Sequence, residues 1–122
     1  MAVFSTNLII YTHTDFEQTF LLEADQSNSA KDLTGFTAQS QIRKTAAHYQ
    51  FADFTVGITS AAQGVVNVSV ASTINEKWRP GRYKWDLILT RPSGFKFVAV
   101  EGQVLVRTGI TTHTFLYGYG NP

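Results

Sequence analysis

Alternation with a period of two, in short runs broken by Gly, Asp, Asn and Ser, constrains this chain more than any other feature. A side-chain period of two belongs to a strand with one buried and one exposed face. In "DFEQTFLLE" (15–23), Phe16, Phe20 and Leu22 fall on one face and Glu17, Thr19 and Glu23 on the other. "GFTAQSQIRK" (35–44) turns Phe36, Ala38 and Ile42 inward and Thr37, Gln39, Gln41 and Arg43 outward. "DFTVGIT" (53–59) reads as a short strand weakened by Gly57. "GVVNVSV" (64–70) alternates through Val66, Val68 and Val70, and "RYKWDLIL" (82–89) through Tyr83, Trp85, Leu87 and Leu89. "FKFVAVEGQVLV" (95–106) gives a long strand with Val98, Val100, Val104 and Val106 in phase. Gly102 marks a bulge or a close backbone approach.

The connections agree with this pattern. "ADQSNSAKDLTG" (24–35) is a polar loop and "SAAQG" (60–64) has hairpin length. "RPSG" (91–94) places Pro second and Gly fourth, as a type I turn does, and pairs the strands on either side. One segment, "ASTINEKW" (71–78), reads as a helical turn. Thr73 and Glu76 have capping-box spacing, and Pro80-Gly81 stops it. The expected fold is all-β: a small immunoglobulin-like β-sandwich of about seven strands with one short helical crossover. An up-and-down barrel is the next candidate. With 122 residues, one domain over 1–122 is expected, with 1–11 and 111–122 as candidate assembly arms. The expected core includes Phe20, Phe36, Ile42, Val68, Tyr83, Trp85, Leu87 and Val104.

Composition narrows the function. Ten Lys/Arg against nine Asp/Glu leave a net charge of +1, far from the basic excess of a dedicated nucleic-acid binder. The chain has no cysteine, which removes disulfides, thiolate metal sites and cysteine nucleophiles. The N-terminal residues lack a basic n-region and a sustained apolar h-region, so no signal peptide is expected, and no apolar run approaches the ~20 residues of a membrane span. Asn67-Val-Ser69 matches a glycosylation sequon but carries little weight without a secretion signal.

Few residues are placed for chemistry. His13 and His113 share the contexts "YTHT" and "TTHT", and His48 stands apart. Two histidines without a third ligand make a poor metal site, and strand positions among threonines are the better account of them. Asp15 and Glu17 sit two apart on one strand face, whereas Asp53, Asp86 and Glu101 are each isolated. Asp86 is expected opposite the Val98–Val100 region, with Arg43 or Arg107 as an ion-pair partner. No G-x-S-x-G elbow, Gly-rich phosphate loop or cleft-spanning carboxylate pair is present, so no enzyme, metal or cofactor is expected.

The stretch "KWRPGRYKW" (77–85) mixes Lys77, Arg79, Arg82 and Lys84 with Trp78, Tyr83 and Trp85. A stacking platform for sugars is one account of it. The other is a core strand seen edge on: Tyr83 and Trp85 point inward, and Trp78 is the tryptophan left for exposure. The segment "FLYGYGNP" (115–122) concentrates Phe115, Leu116, Tyr117 and Tyr119 between glycines. These residues and Trp78 are the interface candidates. The segment either docks on a neighbouring subunit or folds back as a last strand, and both remain open.

The order of these motifs resembles small structural proteins of tailed bacteriophages, cyanophages included. It is also similar to the N-terminal immunoglobulin-like module of baseplate and tail-fibre adaptor proteins. The matching positions are Leu33, Gly35, Phe36, Ile42, Arg43, Gly81, Tyr83, Asp86, Leu87, Glu101, Gly102, Val104 and Val106, within residues 8 to 110. Phe36 replaces the usual tyrosine and Trp85 a smaller aromatic. The resemblance implies a non-enzymatic virion component of the tail or baseplate, assembled in the host bacterial cytoplasm. Its partners would be other virion proteins and copies of itself, with no nucleic acid and no membrane. A neck or head-decoration (cement) protein and a carbohydrate-binding β-sandwich are the alternatives.

Overall fold

The computed structural model describes residues 4–22, 31–44 and 50–111. In chain order these form β1 (Phe4–Ser5), β2 (Leu8–Tyr11), β3 (Phe16–Leu21), β4 (Thr37–Arg43), β5 (Gln50–Ser60), β6 (Val65–Val70), α1 (Ser72–Asn75), β7 (Gly81–Thr90) and β8 (Lys96–Arg107). The sheet runs β1-β8-β7-β4-β5-β6-β3, with β2 also beside β8. β5 is the hinge of the architecture. Its first half pairs with β4 as far as Phe54, and from Thr55 onward it pairs with β6. The sheet therefore curls at residues 54–55 into two facing layers. Aromatic rings meet between them: Phe20 stacks on Trp85 at 5.6 Å, and Phe54 meets Trp85 edge-on at 6.1 Å.

The topology is that of an immunoglobulin-like sandwich. Lettering the strands in chain order, with β1 and β2 together as A, makes β4, β7 and β8 strands C, F and G, and β5, β6 and β3 strands D, E and B. The sheets CFG and BED are those of that fold. A tyrosine corner accompanies them. Tyr83, near the start of β7, donates its hydroxyl to the Arg79 carbonyl at 2.7 Å, four residues upstream. Strand A departs from the pattern, because β1 and β2 run parallel to β8 and leave the place beside β3 empty among the described residues. β3 pairs with β6, not with a chain neighbour, which rules out an up-and-down order.

Alternation places the core where the residues require it. Ile42, Val68, Tyr83, Trp85, Leu87 and Val104 are buried, with Phe20 and Phe36 half-buried against them. Leu33 joins the core from the Asp32–Gly35 turn. There the Asp32 carboxylate accepts hydrogen bonds from the backbone N–H (3.0 Å) and hydroxyl (2.6 Å) of Thr34, which hold it below the usual carboxylate range. The "RPSG" turn closes β7 on β8 through Gly94 N–H to the Arg91 carbonyl at 2.8 Å.

Several expectations change. β5 is eleven residues long, not a short strand over 53–59; Gly57 faces open space and keeps its ladder partner Asn67. Val98 does not share a face with Val100. Leu87 pairs with Val100 but Ile88 with Val98, so Ala99 is a bulge that moves Val98 to the outer face. Of the two readings of Gly102, the close approach holds: a Cβ there would lie 1.9 Å from the Thr6 carbonyl oxygen. That carbonyl accepts the Trp85 indole N–H at 2.9 Å. Residues 4–11 are not a free arm, since β2 buries Leu8 and Ile10 against β8.

The capping box also fails to form. Ala71 is the N-cap without a side-chain bond, and the Asp15 carboxylate reaches across to accept the Ser72 N–H at 2.7 Å. The fully buried Asn75 fixes the same region. It accepts the His13 N–H at 2.9 Å and donates to the Thr14 carbonyl at 2.7 Å, holding His13 at φ 70°.

Candidate functional site

The outward face of β4, β7 and β8 is a continuous, largely polar surface. Period two sets its side chains in rows across the strands. One row runs Ser5, Glu101, Asp86, Gln41 and Asp53. The next runs Gln103, Lys84 and Arg43. A carboxylate row thus lies beside a cation row. Curl in the sheet makes this face a shallow groove of about 740 Å³.

The bulge at Ala99 created this arrangement. Without the extra residue, the turn at 91–94 would set Asp86 opposite Val100; with it, Asp86 meets Glu101 and Trp85 meets Gly102. The expectation that Asp86 faces the Val98–Val100 region is corrected by that one-residue shift. Burial pushes the Asp86 carboxyl up, the Arg43 guanidinium opposes the rise, and Glu101 adds to it. Arg43 is the expected partner that arrives; it also donates to the Gln41 side chain at 3.1 Å. Arg107 stands elsewhere, over the Tyr11 ring at 5.9 Å. Asp86 and Glu101 are neighbours on one sheet face, not a pair across a cleft.

The mixture at 77–85 separates cleanly. Lys77, Arg79, Arg82 and Lys84 are exposed, while Trp78, Tyr83 and Trp85 are buried. Trp78 is 9% exposed and packs edge-on against Phe54 at 6.5 Å, so it is a core residue and not an exposed interface candidate. A sugar platform built on these three rings has no exposed face in this conformation. The Tyr83 ring is covered by the Lys44 ammonium at 4.9 Å, and burial raises its phenol above the usual range. Lys44 was not visible as a partner in the sequence, because no local spacing links it to Tyr83.

Phe115, Leu116, Tyr117 and Tyr119 lie outside the described residues, as do His48 and His113. His13 is buried and turned into the Asn75 pin. Among the described residues, no group of three His, Asp or Glu side chains converges as a metal site. No helix among the described residues is long and apolar enough to cross a membrane. Among the described residues, the exposed large apolar side chains are Phe4, Ile9, Tyr11, Leu21, Phe95 and Ile110, on or near strand ends and sheet edges, and Ile74 on α1. Compared with known protein families and with curated proteins, the chain matches none.

Proposed function

We propose that this protein is a non-enzymatic structural component of a phage virion, placed in the tail or baseplate and working through repeated protein–protein contacts. One observation carries the reading: the motif residues that resemble phage modules have scaffold roles. Leu33 and Leu87 fill the core, Tyr83 makes the corner, and Gly102 admits the Thr6 carbonyl. Such motifs specify a fold that presents surfaces, not a pocket of reacting groups. The rows of opposite charge on the outer face and the apolar side chains at the edges are the surfaces available for contact.

Mass spectrometry of purified virions and of isolated tails tests this. The protein is expected in both, enriched in tails. Recovery with heads instead would make it a neck or cement protein, and absence from virions would overturn the proposal.

A further inference from the structure

The immunoglobulin-like pattern puts strand A beside strand B, and here that place is empty among the described residues. Among the described residues, β3 is the last strand of its layer and pairs only with β6. Such an edge presents a row of backbone N–H and C=O groups to any added strand. Its inward side chains are also unfinished. Phe16 and Phe20 are only half-buried, although their rings touch Phe54 at 6.2 Å and Trp85 at 5.6 Å. Leu21 at the end of β3 is 72% exposed. The opposite edge is less suited, because β1 and β2 are interrupted at Thr6–Asn7, where Thr6 turns its carbonyl to Trp85.

We infer that residues 112–122 of a second copy of this chain add to β3 as the missing strand. The inference rests on the assembly reading above and names its partner. The segment "TTHTFLYGYGNP" (111–122) alternates as an edge strand would: Phe115, Tyr117 and Tyr119 on one face, Thr114, Leu116 and Gly118 on the other. The aromatic face would cover Phe16 and Phe20. At ~3.3 Å per residue the segment reaches about 36 Å, enough for the ~20 Å of β3 and a linker.

Direction selects the second copy. β2 and β8 run parallel and end together at Tyr11 and Arg107, where Gly109 N–H donates to the Thr12 hydroxyl at 3.0 Å. The 12–15 turn then begins β3, so the chain leaves near the start of that strand. Its own segment laid on β3 from there would run parallel, while β3, β6 and β5 are antiparallel throughout. A segment from another copy enters from the Leu21 end and pairs antiparallel, the slightly stronger ladder. This is strand addition to a sheet edge, and its head-to-tail geometry builds rings or filaments.

The absence of cysteine gives a clean test in the full chain. One population carries Glu17→Cys, on the exposed outer face of β3; the other carries Leu116→Cys. They are mixed with a short bismaleimide and read on a denaturing gel. A dimer-sized product between the two populations is expected. Phe115→Asp with Tyr117→Asp in the Leu116→Cys chain should lower its yield about tenfold or more, as loss of paired aromatic anchors does. No product between populations overturns the inference, as does a yield unmoved by the aspartates. A doubly substituted chain that links within the monomer at high dilution also overturns it, assigning the segment to its own sandwich. Circular dichroism confirms that each variant is folded. A chain found in virions that gives no intermolecular product keeps the virion reading and loses this one.

Discussion

The layer of β4, β7, β8 and the N-terminal strands closes tightly over Trp85, whereas the layer of β5, β6 and β3 ends on two half-buried phenylalanines. In the first, the Trp85 indole is hydrogen-bonded, Tyr83 ties β7 to its approach, and Leu8 and Ile10 seal the edge. In the second, Val66, Val68 and Val70 are buried, but the next strand out, β3, has no outer neighbour among the described residues. The same alternation wrote both layers. The difference is where strand A went, and it leaves one layer self-sufficient and the other with an edge to offer.

Substitutions can break or sharpen this contrast. Trp85→Ala should have the largest effect, lowering stability by roughly 3–5 kcal/mol in a denaturant titration, as loss of a large core aromatic does. A near-unchanged midpoint would mean that the closed layer is not held by this ring. Gly102→Ala comes next, at roughly 2–3 kcal/mol, because the new methyl drives the Thr6 carbonyl off its place. Its amide exchange should rise selectively over residues 4–11. Phe20→Ala, on the open layer, should cost roughly 1.5–2.5 kcal/mol, about half of a full aromatic deletion, since the ring is half-buried. If it equals Trp85→Ala, the two layers are equally closed.

Tyr83→Phe removes one hydrogen bond and should cost about 1 kcal/mol by thermal melting. Asp86→Asn has the smallest effect, and its sign depends on pH. The Asp86 carboxyl is raised in the folded state, so the folded chain holds its proton more tightly than the unfolded chain. Its contribution to stability is present in full below the ordinary carboxylate range and is lost as pH rises through the raised value. The asparagine variant should therefore match or exceed the parent at neutral pH, and the difference should shift toward the parent on acidification. Melting temperatures across that range check it.

Much of the closed layer was legible in the sequence, because a two-residue period needs only neighbours. Alternation alone turns Tyr83, Trp85, Leu87 and Leu89 inward, and the "RPSG" turn pairs β7 with β8. What escaped depends on residues far apart. The bulge at Ala99 carries no glycine or other local signal, yet it moves Val98 outward and brings Glu101 opposite Asp86. Asp15 caps a helix 57 positions away, and Asn75 pins the turn at His13 from 62 positions away. Trp78 looked free because no strand claims it; its partner Phe54 arrives from β5. The polar groove was unreadable for the same reason, since it exists only once five strands are in register.

Amide hydrogen exchange, resolved residue by residue in the full chain at low and high concentration, tests the unfinished layer most directly. At low concentration, every second amide of β3 should exchange nearly as fast as an unstructured chain, while those of β6 and β7 stay slow. At high concentration the same β3 amides should become protected. Outer β3 amides that are slow at every dilution would show that the edge is already filled within one molecule, and would contradict the account.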